Sequence, residues 1–273
     1  MIPMSIFSSR SFLTALAIGG VSLAVLGGCA TPPPADDPDA VAEYNEANDP
    51  LEPMNRQIFA FNVAVDHAVM RPVAQAYRDY VPQDGRDRVR DFLRNLREPW
   101  ILANDILQGD AERAGETLAR FTLNTAVGLG GLVDVAGRSG LPYHDEDFGQ
   151  TLAVWGGGEG PYLVLPILGP SNPRDAVGLG SEWLLDPVDF GFRMAGYSWA
   201  EYGRGALDGL DKREDALDPL DEIERTSIDF YSALRSLYRQ HREAEIRNQP
   251  NVVPIPGLTD VSGKPPQISQ ESN

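Results

Sequence analysis

The stretch QDGRDRVRDFLRNLREPWILANDILQG, residues 83–109, decides the fold class. Val89, Phe92, Leu93 and Leu96 recur at three- and four-residue intervals, the period of an amphipathic helix. Arg86, Arg88, Arg90, Arg94 and Arg97 lie between them and give the helix a basic face. Pro99 is read as the first-turn residue of a second helix, which carries Trp100, Ile101, Ile106 and Leu107 and stops at Gly109. The arginine face could grip phosphate groups. The plainer and favoured reading is a solvated face paired with Asp84, Asp87, Asp91 and Glu98.

The same periodicity extends in both directions. Upstream, Asp49-Pro50-Leu51-Glu52 can cap a helix with Pro53 in its first turn, followed by Ile58, Phe59, Phe61, Val65 and Val69. Arg71-Pro72 is expected to break that helix, and Val81-Pro82 to break the short segment after it. Downstream, Asp110 caps a helix through Leu118, Phe121 and Leu123, and Asn172-Pro173 starts another through Val177 and Trp183. A last helix is expected from about Asp221 to Arg247. Between these lie Ala126–Ala136 and residues 149–170, too rich in glycine for regular helix. No strand alternation defines a sheet, so the expected class is all-α.

The ends read differently. Phe12–Gly28 is an apolar run after Arg10, closed by Leu26-Gly27-Gly28-Cys29. This is the layout of a secretory signal ending in a lipobox. Cleavage between Gly28 and Cys29, with acylation of Cys29, would anchor the mature chain outside the cytoplasm. The alternative is a transmembrane helix at 12–28, at the lower edge of a span. Ala30, rather than an aspartate, follows the cysteine and favours the outer membrane. The expected organisation is a signal at 1–28, an acylated N-terminus and tether at 29–47, a helical body at 48–248 and a disordered tail at 249–273.

Composition narrows the function. The chain has 273 residues and a formal net charge of −17. Phosphate repels such a surface, which argues against nucleic acid and against general attraction to anionic head groups. Cys29 is the single cysteine, so no intramolecular disulfide forms. His67, His144 and His241 make no HExxH pattern, and no GxSxG elbow is present. His144-Asp145-Glu146-Asp147 could take a cation but is favoured as a solvated loop. Gly156-Gly157-Gly158-Glu159-Gly160 lacks the Lys-Ser or Lys-Thr of a phosphate loop. No catalytic residue, metal or cofactor is expected.

The motifs taken in order resemble one family. Asp49-Pro50-Leu51-Glu52, Asn55-Arg56, Phe61-Asn62, Arg71-Pro72-Val73-Ala74 and Tyr80-Val81-Pro82 resemble those of the MlaA (VacJ) outer-membrane lipoproteins. So do Asn95-Leu96-Arg97-Glu98-Pro99, Leu107-Gln108-Gly109, Arg120-Phe121 and Gly128-Leu129-Gly130-Gly131. The resemblance is densest at Asp147-Phe148-Gly149-Gln150-Thr151-Leu152 and at Gly160–Pro166. It covers roughly residues 48–190 and is unspecific beyond Phe190.

The resemblance implies an all-helical ring embedded in the periplasmic leaflet of the outer membrane. A channel through the ring would let phospholipids misplaced in the outer leaflet pass to a soluble periplasmic carrier of the MlaC type. It also implies association with trimeric porins and no hydrolysis. In this reading Asn55, Phe61, Asn62 and Phe148 are near the channel. The glycine-rich region 126–160 holds a mobile hairpin, with Gly156 and Gly158 as its flexible points; the alternative for both is an ordinary turn. Two other classes stand beside it: a lipid-modifying enzyme, which would need a nucleophile near a histidine, and a passive structural envelope lipoprotein.

Overall fold

The computed structural model describes Asp37 and residues 49–249. Cys29, Gly28, the rest of the tether and the tail beyond Gln249 lie outside the described residues. Every described element belongs to the unit that begins at Leu51. The chain is mostly helical, and the expected all-α class holds.

Helix α1 (Glu52–Val65) runs without interruption through a π-turn (Asp66–Met70) into α2 (Arg71–Tyr80). The break expected at Arg71-Pro72 is absent. Pro72 falls in the first turn after the π-turn, where Arg71 N–H donates to Asp66 O. That wider turn leaves room for a ring that has no N–H to offer. Helix α3 (Gln83–Gln108) is likewise one helix of 26 residues with Pro99 inside it, not two. An interior proline costs about 3 kcal/mol. Trp100 and Ile101, both buried immediately after it, each recover about 1.5–3 kcal/mol. Gly109, at φ 79°, closes α3, with Asp110 N–H donating to Asp105 O.

Helix α4 (Ala111–Ala126) opens on Asp110, whose carboxylate accepts from Arg113 N–H as expected, and packs along α3. Turns at 127–132 follow, then α5 (Val135–Arg138) and α6 (Phe148–Val154). The glycine-rich stretch therefore contains a regular helix that the sequence reading did not assign. A small antiparallel hairpin comes next, β1 (Leu163–Leu165) and β2 (Gly169–Ser171), with Val164 opposite Pro170. Three-residue strands are too short to show alternation. Helix α7 (Pro173–Leu185) starts on its Asn172 cap, as expected, and α8 (Pro187–Met194) and α9 (Ser198–Asp215) continue the chain. The last helix is two, α10 (Leu217–Thr226) and α11 (Phe230–Ile246), because Asp229 caps a new start through Tyr231 and Ser232 N–H.

The apolar core is small. Tyr162, Val164, Tyr231 and Tyr238 are buried together, with Ile58 and Phe59 against them. Phe59 meets Phe230 and Tyr231 edge-on at 5.3 and 5.5 Å. This cluster fixes β1 between α1 and α11.

Candidate functional site: a polar interior under an apolar exterior

Helix α1 holds the β-hairpin by two amides seven residues apart. Asn55 is fully buried. Its Nδ2 donates to Tyr162 O at 2.9 Å and its Oδ1 accepts from Val164 N–H at 3.0 Å. Asn62 repeats the pattern at the hairpin tip, donating to Leu165 O at 2.9 Å and accepting from Ile167 N–H at 2.7 Å. Two side chains thus stand in for a third strand along β1. Phe61, beside Asn62, is exposed, and Phe148 packs edge-on against Trp155 at 5.9 Å. Of the four residues expected near a channel, the structure brings Asn55 and Asn62 to one hairpin. It places Phe148 elsewhere, at the start of α6.

The interior is built from charges. Arg120 and Glu98, each 1% exposed as side chains, pair at 2.9 Å. Arg120 also reaches Asp134 at 3.2 Å and donates to Leu141 O. Burial pushes the Glu98 carboxyl up to about 7 against the pull of Arg120. Next to this, Asp105 accepts from Thr117 at 2.6 Å, and His144 Nε2 lies 3.2 Å from the same hydroxyl. Thr151 donates to Asn104 at 2.8 Å. Glu146 accepts from Gln108 at 2.7 Å and faces Arg113 at 3.0 Å, and burial raises it to about 8. Breaking a buried pair by removing one partner costs about 3–5 kcal/mol, so these contacts fix relative helix positions.

The arginine face of α3 points into this interior, contrary to the favoured reading of a solvated face. Arg90 pairs with Asp211 at 2.9 Å, and Arg97 with Asp145 at 2.7 Å and Glu182 at 2.9 Å. Arg94 lies over the Tyr143 ring at 5.2 Å. Arg88, with Asp91 at 3.3 Å, keeps a local partner of the expected kind. The His144–Asp147 loop is not solvated either. Its four side chains go to four different places: Asp105, Arg97, Gln108 with Arg113, and Arg242.

Arg242 of α11 joins the two helices that flank the glycine-rich segment. It pairs with Asp147, the cap of α6, at 2.7 Å and with Asp175, in the first turn of α7, at 2.9 Å. Tyr238 donates to Asp175 at 2.6 Å. Burial pushes Asp147 up, but Arg242 overcomes it and holds the carboxyl at about 2. A Cβ on Gly149 would lie 2.6 Å from the Arg242 guanidinium, and one on Gly178 would lie 2.6 Å from Gly149 N. The Asp147–Leu152 motif thereby acquires a physical meaning: cap, close crossing and buried hydroxyl in five residues.

The exterior carries many large apolar side chains beside exposed charges such as Asp218 and Arg225. Among the described residues, 27 large apolar side chains are exposed, while 21 polar or charged residues are buried against 13 apolar ones. In a water-facing domain the proportions run the other way. The exposed set is concentrated at Trp183-Leu184-Leu185, Phe190, Met194, Tyr197 and Trp199, and again at Val127, Leu129 and Leu132. Ile167 and Leu168, at the hairpin tip, are 69% and 67% exposed, and Ile167 sits at φ 68°. At the break between α7 and α8 side chains take up backbone groups: Arg193 donates to Trp183 O and Leu184 O, and Asp186 accepts from Val188 and Asp189 N–H. Among the described residues no helix is long and apolar enough to cross a membrane.

The sequence profile of the MlaA lipoprotein family matches residues 47–245. The chain belongs to the MlaA lipoprotein family. This MlaA-family chain is 37% identical over 239 residues to the intermembrane phospholipid transport system lipoprotein MlaA of Escherichia coli K12, spanning 85% of this chain and 87% of that one. The Haemophilus influenzae protein of the same name is 30% identical, over 88% and 92% of the two chains. An uncharacterized Rickettsia felis protein is 35% identical over 76% and 81%. A solved structure reported as the structural basis for maintenance of bacterial outer membrane lipid asymmetry is similar at TM-score 0.65 and 37% identity, over 72% of this chain and 98% of that chain.

Sequence reasoning about this MlaA-family chain missed Arg242, Asp175 and the Arg120–Glu98 pair as organising residues. Glu98 and Arg120 stand inside quoted family motifs, which was the available signal. Arg242 lies in the region where no motif was recognisable.

Proposed function

We propose that this protein removes phospholipids misplaced in the outer leaflet of the outer membrane and passes them to a soluble periplasmic carrier of the MlaC type, which preserves lipid asymmetry. The working unit is a ring of amphipathic helices around a channel, embedded in the periplasmic leaflet, held by an acylated Cys29 and associated with trimeric porins. The signal occupies 1–28, the acylated N-terminus and tether 29–47, the helical body 48–248 and the tail 249–273.

One observation carries the reading: the inverted distribution of polarity, with paired charges inside and large apolar side chains outside. An apolar exterior of this extent marks a membrane or ligand surface. Irregular backbone is tolerated at membrane depth where its polar groups are satisfied within the protein, as at the α7–α8 break and the Asn62-bound hairpin tip. A passive scaffold has no use for either feature. The names of the Escherichia coli and Haemophilus influenzae relatives support phospholipid as the cargo. The test is extraction of the mature protein from outer membranes in mild detergent, followed by lipid analysis. Co-purifying phospholipid is expected; its absence from repeated preparations would contradict the reading.

A further inference from the structure

The glycine-rich segment between α6 and β1 is fixed at both ends and has open space around Gly158. At its start, Gly156, at φ 88°, follows the end of α6, with its N–H on Ala153 O at 2.9 Å and the Gly157 N–H on Leu152 O at 2.8 Å. That pair of bonds is a helix C-cap, and it makes Gly156 part of the α6 terminus. At the other end, Gly160 abuts Pro173, where a Cβ would approach to 3.0 Å, and Tyr162 is buried two residues later. Between them, a Cβ on Gly158 would meet nothing within 4 Å. Glu159 reaches across to α11, where Arg239 Nη2 lies 3.3 Å from its Oε1. The glutamate is 42% and the arginine 17% exposed as side chains. Arg239 follows Tyr238 and precedes Arg242 by three residues, so it belongs to the stretch of α11 that fixes Asp175 and Asp147.

We propose that the Glu159–Arg239 ion pair is a latch, holding the Gly158–Glu159 joint against the terminal helix and setting how often the segment between α6 and β1 opens. Its bearing on transport rests on the function proposed above; the latch itself does not. The surroundings favour a latch over a fixed brace. Asp147 and Asp175 bond a guanidinium in the interior, whereas Glu159 is solvated on one side and bonds at a longer distance. With its carboxylate solvated on one side, the pair is weaker than the buried ones and open to screening by salt. Two positioning residues are thereby assigned, Glu159 in the segment and Arg239 on α11.

The test uses the full acylated chain in detergent micelles and hydrogen exchange at the amides of 157–160. Glu159→Gln and Arg239→Gln should each raise exchange there about 2- to 5-fold at low salt, the span that corresponds to an exposed pair. The swapped double variant Glu159→Arg/Arg239→Glu should return exchange to the wild-type rate. The wild-type rate should rise towards that of Glu159→Gln in 1 M salt, while Glu159→Gln stays flat. Equal exchange in wild type and Glu159→Gln, or a swapped variant as fast as the singles, would overturn the latch. If Arg239 variants fail to accumulate, Glu159→Gln and the salt series decide alone. The outer-leaflet phospholipid level in cells carrying Glu159→Gln is read separately. Faster exchange with an unchanged level would leave the latch standing and contradict its role in transport.

Discussion

Replacing Asn55 by leucine takes both hydrogen bonds from the β1 edge while keeping the side-chain volume close. Tyr162 O and Val164 N–H are buried with Asn55 against the Tyr162, Tyr231 and Tyr238 rings, where water has no access. Each buried backbone group left without a partner costs about 1–3 kcal/mol, and the apolar substitute returns part of that. The expected net loss is about 3 kcal/mol. The same exchange at Asn62 is the internal control. Its partners, Leu165 O and Ile167 N–H, sit at a partly exposed tip where water can replace the amide. Asn62→Leu should cost about 1 kcal/mol or less. For a body of this size 1 kcal/mol corresponds to about 2–4 °C in Tm. Thermal unfolding of the micellar protein, followed by circular dichroism, should then show a drop of about 6–12 °C for Asn55→Leu and under about 4 °C for Asn62→Leu. Equal shifts, or a shift below about 3 °C at Asn55, would refute the idea that Asn55 serves as a buried surrogate strand.

Four further outcomes are expected. Glu146 is held near 8 against an ordinary 4.5, so the folded chain binds more protons than the unfolded one between those values. Its contribution to stability therefore falls as pH rises from about 5 to about 8, by at most about 1.4 kcal/mol per pH unit, and Glu146→Gln should flatten that part of a denaturation-versus-pH curve. Asp147, held at about 2, works in the opposite direction: its contribution is intact above the ordinary 3.8 and disappears as pH falls towards 2, a loss that Asp147→Asn should abolish. Gly156→Ala should lower stability by about 1 kcal/mol because of its φ of 88°, whereas Gly158→Ala, in open space, should stay within about 0.5 kcal/mol in the same unfolding assay. Cys29→Ser should leave the signal uncut, which mass spectrometry of the N-terminus reads directly; a normally processed N-terminus would contradict the proposed anchor.

Much of the helical framework was legible because caps act locally. Asp110 and Asn172 bond amides three residues on, and both starts were expected from those residues alone. Pro72 and Pro99 misled for the opposite reason. Their local cost is outweighed by a π-turn in one case and by the burial of Trp100 and Ile101 in the other, and both depend on packing against the rest of the fold rather than on the neighbouring residue types. The arginine face was misjudged because periodicity separates apolar from polar but says nothing about which side faces inward. In this chain the polar side is the interior. Arg90 finds Asp211 and Arg242 finds Asp147 across about a hundred residues, pairings that no sequence window contains. Gly156 and Gly158 looked equivalent as letters; the backbone separates a helix cap from an open joint.

The proposed transport is tested most directly by measuring phospholipid in the outer leaflet of cells that lack this protein. Accumulation there is expected, reversed by the wild-type chain and not by Cys29→Ser expressed at equal abundance. An outer leaflet that stays free of phospholipid without the protein would contradict the proposed function.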